Sequence, residues 1–527
     1  MTVLARQAVL SPLAIFSFGI SGLIVLPLLY VVYSAMKADF AIWQRLWSTR
    51  IPELFLNTVS LAFGVGIATL TLGVSLAWFI TRYEFWGRGF WEWAFVLPLA
   101  IPSYVLAYVY TFLLDTGGPL EQAWQVVMGP EAPFFSPYSF IGALMVMTLN
   151  TFPYVYLLAK TALQNFNVTF EEAAQATGAS QWATIFRVFL PLIRPALVAG
   201  LFLVTLYVVS DFGAVSLLRF QTFTYAVYQQ ITGRYDYAAA SILSLLLVSF
   251  ALIFLLGERW FRRQSRYYQM TGKVRPPTLM PCSVSRSALM TGYCVVVFGM
   301  AFALPTYWLV QWTSEAWAEN EIGTEFLTYI WNSMVLSGGA ATLALVLGTP
   351  LAYLACRHPT RLNTLCIQGA YTGYVLPGPV AALALLILFS SIPFLYGTAL
   401  VLVLAYLIHF LPAGLQSMES AIQQVNPNLE EAAKSLGARS YQAFQRVTLP
   451  LVRGGFLVAW ILMFLQCMKE LPATLLLRPV GFDTLAVRIW LEASEELYQL
   501  AAPPALLIVL MTIPVVMLLT RKNWQVG

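Results

Sequence analysis

A chain of 527 residues that is 59% hydrophobic and only 10% charged falls far below the roughly 25% charged residues of soluble domains, so it lacks the polar surface to face water all round. Large soluble domains are excluded, and because a span needs about 20 apolar residues the length leaves room for about a dozen spans. The net charge of +5 is spread over short loops and not gathered in a basic arm, which excludes nucleic acid as the expected partner.

The first apolar run, residues 10–32, follows Arg6 and is longer than the roughly 7 to 15 residues of a signal-peptide core, so it predicts a first span. Further spans are expected at residues 55–80, 93–114, 140–162, 195–218 and 237–256, each read as one membrane-crossing helix. Residues 259–287 are basic, hold Pro276, Pro277 and Pro281, and read as a cytoplasmic linker. Its seven basic residues suit a tether on the positive side of the membrane, with anionic lipid headgroups or a partner as the alternative. The pattern restarts at residues 288–312, 334–355, 367–390, 398–415, 456–477 and 501–519. The expected fold is therefore all-α: a polytopic membrane protein of about 12 transmembrane helices, with a first six-helix repeat in residues 1–258 and a second in 288–527.

With both termini on one side, the loops on that side hold 21 of the 29 Lys and Arg residues and the opposite loops hold 7. The positive-inside rule then puts both termini in the cytoplasm. The outer loop at residues 314–329 shows the complement, with Glu315, Glu319, Glu321 and Glu325 and no basic residue.

Glu171-Glu172-Ala173-Ala174 recurs 259 residues later as Glu430-Glu431-Ala432-Ala433, and the same offset takes Gly178 to Gly437, Pro191 to Pro450, Pro153 to Pro412 and Asp211 to Glu470. Nearer the start of each half the offset is 275, taking Asn57-Thr58 to Asn332-Ser333 and Pro102 to Pro377. The halves are homologous. Each has an even number of spans and the repeated loop falls on the cytoplasmic side both times, so the repeats are parallel and suit a translocation path between them.

The repeated loops, residues 164–194 and 419–453, read EAA-x3-G-x9-V-x-LP. Acidic residues near the start of a short helix suit its positive end, and the Ala pair lets another surface approach closely. Gly178 and Gly437 permit the left-handed turn that ends this helix, and a second short helix leads to the Leu-Pro that restarts the next span. These loops resemble the EAA loops of permease subunits of ATP-binding-cassette importers, whose consensus has Ile where this chain has Val188 and Val447. The resemblance implies that each loop, with Glu171, Glu172, Ala173, Ala174, Gly178 and Pro191 in one and Glu430, Glu431, Ala432, Ala433, Gly437 and Pro450 in the other, docks on one of two copies of an ATPase subunit. No GxxxxGK[ST] occurs in the chain, so the ATPase is expected as a separate polypeptide and this chain is expected not to be an enzyme.

Two further segments resemble the ferric-iron permeases within that class. One is Ser210-Asp211-Phe212-Gly213-Ala214-Val215-Ser216-Leu217-Leu218 with Phe223-Thr224; the other is Lys469-Glu470-Leu471-Pro472-Ala473-Thr474-Leu475-Leu476-Leu477-Arg478-Pro479 with Gly481-Phe482-Asp483. The resemblance implies ferric iron as cargo, an extracytoplasmic binding protein that delivers it, and one chain forming the whole path. Thiamine, sulfate, polyamine and phosphonate permeases are the alternatives in the same superfamily. Fe³⁺ is a hard cation that prefers oxygen donors, which a chain with two histidines permits. Five cysteines without a CxxC and two histidines without ligand spacing imply no disulfide framework or soft-metal site, and no cofactor is expected.

Asp211 and Glu470 lie at equivalent positions toward the outer ends of their spans, as possible residues of the translocation path. Against this, Lys469 adjoins Glu470, and a carboxylate held by a basic neighbour or by helix-end amides would instead be structural. Asn150 and His409 are equivalent polar positions that suit interhelical hydrogen bonding, Cys467 suits packing rather than ligation, and Tyr104, Tyr108 and Tyr110 could offer phenolic oxygens but suit the aromatic belt. A gradient-driven carrier is the rival reading, but it has no ATPase for paired EAA loops to meet. A membrane enzyme is disfavoured by the lack of a His/Asp cluster, nucleophile elbow or HExxH.

Overall fold

Apolar sequence in a bilayer has to satisfy its own backbone, which leaves helices as the available structure. The computed structural model describes residues 12–178, 180–264, 279–390 and 392–520. Among them are ten helices long and apolar enough to cross a membrane and two bent pairs, which brings the spans to as many as twelve. The first half supplies α1 (Pro12–Lys37), α2 (Ile51–Arg82), α3 (Ser103–Leu114), α4 (Phe140–Gln164), α5 (Thr169–Ala176), α6 (Leu190–Ser210) and α7 (Tyr237–Gln264). Their counterparts are α8 (Val284–Ala318), α9 (Glu325–Arg357), α10 (Gly378–Ser390), α11 (Ala399–Gln424), α12 (Pro427–Ser435), α13 (Leu449–Met468) and α14 (Tyr498–Thr520). Arg6, Arg521, Lys522 and the basic centre of the linker lie outside the described residues.

Two spans expected as single helices are broken. Arg88–Ala100 meets Ser103–Leu114 at 93°, and Arg361–Tyr374 meets Gly378–Ser390 at 107°. Pro102 and Pro377 are the cause: a proline has no amide hydrogen and drives the residue before it out of the helical region. Ile101 and Leu376 are accordingly extended, at ψ 119° and 104°. The carbonyls released by these breaks need partners, and the repeat supplies one each time. Asn150 Nδ2 donates to Ile101 O at 2.9 Å, and His409 Nδ1 lies 2.9 Å from Leu376 O, a pairing that puts the proton on Nδ1.

The interhelical hydrogen bonds expected of Asn150 and His409 thus patch the broken spans. Asn150→Leu and His409→Leu each leave a carbonyl without its donor, at a cost of about 1–3 kcal/mol. Thermal unfolding in detergent is expected to show a lower Tm for both, and His409→Asn, which copies the first half, is expected to restore it. A Tm that ignores all three substitutions would contradict this role.

The spans expected at 195–218 and 456–477 also end early, at Ser210 and Met468, and short helices Gly213–Leu217 and Pro472–Leu477 follow. Three Leu-Pro steps, at Pro191, Pro305 and Pro450, each follow a five-residue π turn in which the leucine amide reaches back to Ile185, Gly299 or Phe444. The proline offers no N–H to the carbonyl four residues earlier, so the turn widens there.

Contacts divide the described chain into two compact units that do not follow the two sequence halves. One holds Thr49–Tyr225, Ser249–Ile322 and the described residues from Ile489 on. In it α2 packs along α4 and α6, while the Leu304–Ala318 part of α8 packs with α14 and both reach α3. The other unit holds the described residues up to Ser48, Ala226–Val248 and Gly323–Arg488. In it α9 packs along α11 and α13, and α1 lies on α9, α10 and the Arg361–Ala370 helix. The first span of each half is therefore housed among the other half's helices.

Small residues set the closest approaches. A Cβ on Gly73 of α2 would sit 2.8 Å from Tyr156 N of α4, and one on Gly348 of α9 would sit 2.5 Å from Met418 Cε of α11. Without a hydrophobic drive between helices in lipid, this tight backbone packing is what joins them. The linker's far end is tied down as well: Met280–Pro281 pairs in parallel with Tyr83–Glu84, and Trp86 N donates to Ser287 Oγ at 3.0 Å.

Candidate functional site

Each EAA helix starts on a capping asparagine. Asn167 Oδ1 accepts from Thr169 N at 3.3 Å and Thr169 Oγ1 at 2.5 Å, and Asn426 Oδ1 accepts from Asn428 N at 3.0 Å, with Pro427 in the first turn. These caps satisfy amides that the first helical turn leaves free. Each helix ends at its glycine. Gly178 has φ +81° and Gly437 φ +91°, and in the second copy Gly437 N donates to Lys434 O at 2.9 Å and Ala438 N to Ala433 O at 3.1 Å. That six-to-one closure is the left-handed helix stop the motif predicts. Short helices Gln181–Thr184 and Ser440–Ala443 then run through the π turns into α6 and α13.

The two glutamates of each motif point in different directions. Glu171 and Glu430 are 7% and 3% exposed, whereas Glu172 and Glu431 face out. Arg82, the last residue of α2, brings Nη2 to 2.6 and 2.5 Å from the two Glu171 oxygens. Its guanidinium carbon also lies 5.4 Å from the Trp78 ring centroid and 5.0 Å from that of Phe189. Arg357, the last residue of α9, donates Nε to Glu430 Oε1 at 3.2 Å and Nη2 to Val425 O at 2.9 Å. Tyr353 OH donates to Glu430 Oε2 at 2.7 Å and Thr448 Oγ1 to Oε1 at 2.6 Å. Burial works against the Glu430 charge, but the hydroxyls of Thr448 and Tyr353 and the Arg357 guanidinium outweigh it and hold the carboxyl below its ordinary range.

Arg82 and Arg357 were missed as site residues, because sequence reasoning counted them only as inside-positive charges. A signal for them existed: they are 275 residues apart, the offset that relates Asn57 to Asn332.

Beside the outward glutamates the loops expose small and apolar side chains. Ala173 and Ala432 face out, Leu436 is 90% exposed beside Gly437, and Phe186 and Tyr441 are exposed on the following segments. Apolar side chains outside the spans, beside an outward glutamate and alanine, form a surface that suits a protein partner.

Asp211 and Glu470 sit at the breaks after α6 and α13. Asp211 Oδ1 accepts from Ala214 N at 2.9 Å and Val215 N at 3.4 Å, Ser103 Oγ donates to Oδ2 at 2.5 Å, and Thr224 Oγ1 donates to Asp211 O at 2.6 Å. Glu470 Oε1 accepts from Ala473 N at 3.1 Å, and its carbonyl accepts from Thr474 Oγ1 at 2.9 Å. Gly378 occupies the position equivalent to Ser103, where a Cβ would come within 2.9 Å of Glu470 Oε1. Both carboxylates therefore hold helix-end amides. The segments that follow are tied to α2 and α9 by matching bonds: Asn57 Nδ2 to Gln221 O and Asn332 Nδ2 to Asp483 O, both at 3.0 Å, with Phe223 N to Thr58 Oγ1 at 3.3 Å and Leu485 N to Ser333 Oγ at 2.8 Å.

Tyr104, Tyr108 and Tyr110 are buried and do not form an outer aromatic belt. Tyr108 stacks on Tyr498 with Trp312 and Phe112 around them, and Tyr110 OH donates to Met300 O at 2.6 Å. The cause is the placement of α8 and α14 over α3, which hydropathy alone does not reveal. Cys467 is buried in α13. Among the described residues no three His, Cys, Asp or Glu side chains are grouped so as to hold a metal.

The family described as binding-protein-dependent transport system inner membrane component matches this chain twice, over residues 69–267 and 344–521. The chain belongs to that family. The two matches fall one in each half and each includes an EAA loop. Over 94% of its length this family member is 31% identical to the Fe(3+)-transport system permease protein FbpB 2 of Haemophilus influenzae, covering 95% of that protein. It is 25% identical to the ferric transport system permease protein FbpB of Actinobacillus pleuropneumoniae, over 90% of this chain and 72% of that one. The sulfate transport system permease protein CysT of Escherichia coli is also 25% identical, over 45% of this chain and 85% of its own. The family member is thus a multi-pass membrane transport component with two homologous repeats.

Proposed function

We propose that this chain is the permease of an ATP-binding-cassette importer that passes ferric iron from an extracytoplasmic binding protein to the cytoplasm. The observation that carries the coupling part is the pair of EAA loops, each capped, ended by a left-handed glycine, and presenting an outward glutamate, alanine and apolar side chains. In this reading Glu172 and Glu431, with their loops, meet two copies of a separate ATPase, whose closure on nucleotide moves the permease. Both termini are cytoplasmic, as the basic residues of the loops suggest, and one chain forms the path. The relatives support the cargo: those named for ferric transport align along 94%, 90% and 86% of this chain, the sulfate relative along 45%. Of the two candidate path residues, Asp211 and Glu470, the amides they hold support a role at helix ends.

Proteoliposomes containing this chain, its ATPase and candidate binding proteins test the reading by ATP hydrolysis and ⁵⁵Fe uptake. Iron-loaded binding protein is expected to stimulate both, and binding proteins loaded with thiamine, sulfate or polyamine neither. Stimulation by one of those replaces the cargo and keeps the coupling. If no ATPase associates with the chain, the gradient-driven reading takes its place.

A further inference from the structure

We propose that Arg82 and Arg357 are positioning residues, each latching its EAA helix to the end of the second span of its half, and that the two latches work by different chemistry. The inference rests on the reading that α5 and α12 receive the ATPase, and it adds how each is held.

Positions equivalent in the repeat carry different side chains around the same Arg–Glu pair. Where the second half has Tyr353 and Thr448, both donating hydroxyls to Glu430, the first has Trp78 and Phe189, which carry no hydroxyl. Those rings instead lie against the Arg82 guanidinium, and Arg82 Nε, buried, makes no hydrogen bond. Arg82 is 2% exposed, so its charge depends on Glu171 and on the rings. The first latch is a charge held between aromatic faces. The second is a carboxylate held by three donor groups, of which two are neutral and indifferent to whether the acceptor is charged.

Glutamine in place of glutamate separates the two. Glu171→Gln leaves Arg82 buried without its counter-charge, whereas Glu430→Gln keeps a carbonyl oxygen for one of the two hydroxyls, turns its amide N–H to the other, whose oxygen can accept it, and leaves Arg357 its bond to Val425 O. Amide hydrogen exchange of the full chain in nanodiscs reads the outcome directly on residues 169–176 and 427–435. Glu171→Gln is expected to speed exchange in α5 by about tenfold or more, and Glu430→Gln to change α12 by less than about threefold. Arg82→Lys, which keeps the charge, is expected to hold α5 near its original rate. Exchange in α5 that Glu171→Gln leaves unchanged, or equal responses of α5 and α12, overturns the proposal. Should Glu171→Gln fail to accumulate in the membrane, Glu171→Asp, one methylene shorter, reads the same amides with an expected acceleration of about threefold, and no acceleration overturns the proposal equally.

Pull-down of the ATPase by the same variants keeps the two readings apart. Faster exchange in α5 with reduced ATPase capture supports both. Faster exchange with undiminished capture supports the latch and removes the coupling role of the loop.

Discussion

Replacing Gly178 and Gly437 together by valine is expected to abolish ATPase association while the chain still inserts in the membrane. Both glycines hold a left-handed backbone, φ +81° and +91°. That conformation costs a residue with a Cβ about 1–2 kcal/mol, and a β-branched one most. Nothing lies within 4 Å of a Cβ built at either position, so no clash spreads into the spans. The strain is relieved locally, by letting the EAA helix run on or turn the wrong way into Gln181–Thr184 and Ser440–Ala443. The exposed faces of the two short helices then lose their relative direction, and a partner that grips both loses its seat. Co-purification of the ATPase with the double variant, alongside a gel-filtration profile that reports folding, checks this. A variant that still binds an ATPase stimulated by loaded binding protein would show that the loops couple by some other surface.

The second large effect is expected at the breaks after α6 and α13. Asp211→Leu takes the acceptor away from Ala214 N, Val215 N and the Ser103 hydroxyl together, and Glu470→Leu takes it from Ala473 N. With about 1–3 kcal/mol for each buried donor left unmade, Asp211→Leu is expected to be the more damaging and to stop accumulation of folded chain. Asp211→Asn and Glu470→Gln keep an oxygen in place and are expected to fold and to take up iron within about twofold of the original chain. A fall in uptake of tenfold or more at unchanged thermal stability would instead assign the lost charge to the translocation path.

The apolar runs, the repeat offsets, and the glycine that stops each EAA helix were legible because each is a local property: hydropathy over some 20 residues, or one residue type demanded by one backbone conformation. What was not legible depends on partners distant in the chain. Pro102 and Pro377 sit inside runs that read as single spans, and whether a proline kinks or interrupts a span depends on whether neighbours take the carbonyls left open at the break, as Asn150 and His409 do for Ile101 and Leu376 from another helix. The inward turn of Glu171 and Glu430 depends on Arg82 and Arg357, which lie 89 and 73 residues away. The tyrosines of α3 read as belt residues because their cover, α8 and α14, is about 200 residues or more further along the chain.

The exchange of first spans bears on biosynthesis. A chain made from its N-terminus places α2 to α6 in the membrane well before α8 and α14 exist, so the face of α3 that buries Tyr108 waits for helices made far later in the chain. Likewise α1 is made well before its seat on α9 and α10, which the second half supplies. Neither half is a folding domain in the sense of completing its own core, and a polypeptide truncated before Tyr498 lacks the side chain on which Tyr108 stacks. Closing the core around Tyr108 is therefore a late event that follows insertion of α3, and quality control in the membrane has to tolerate a still open intermediate until α14 arrives.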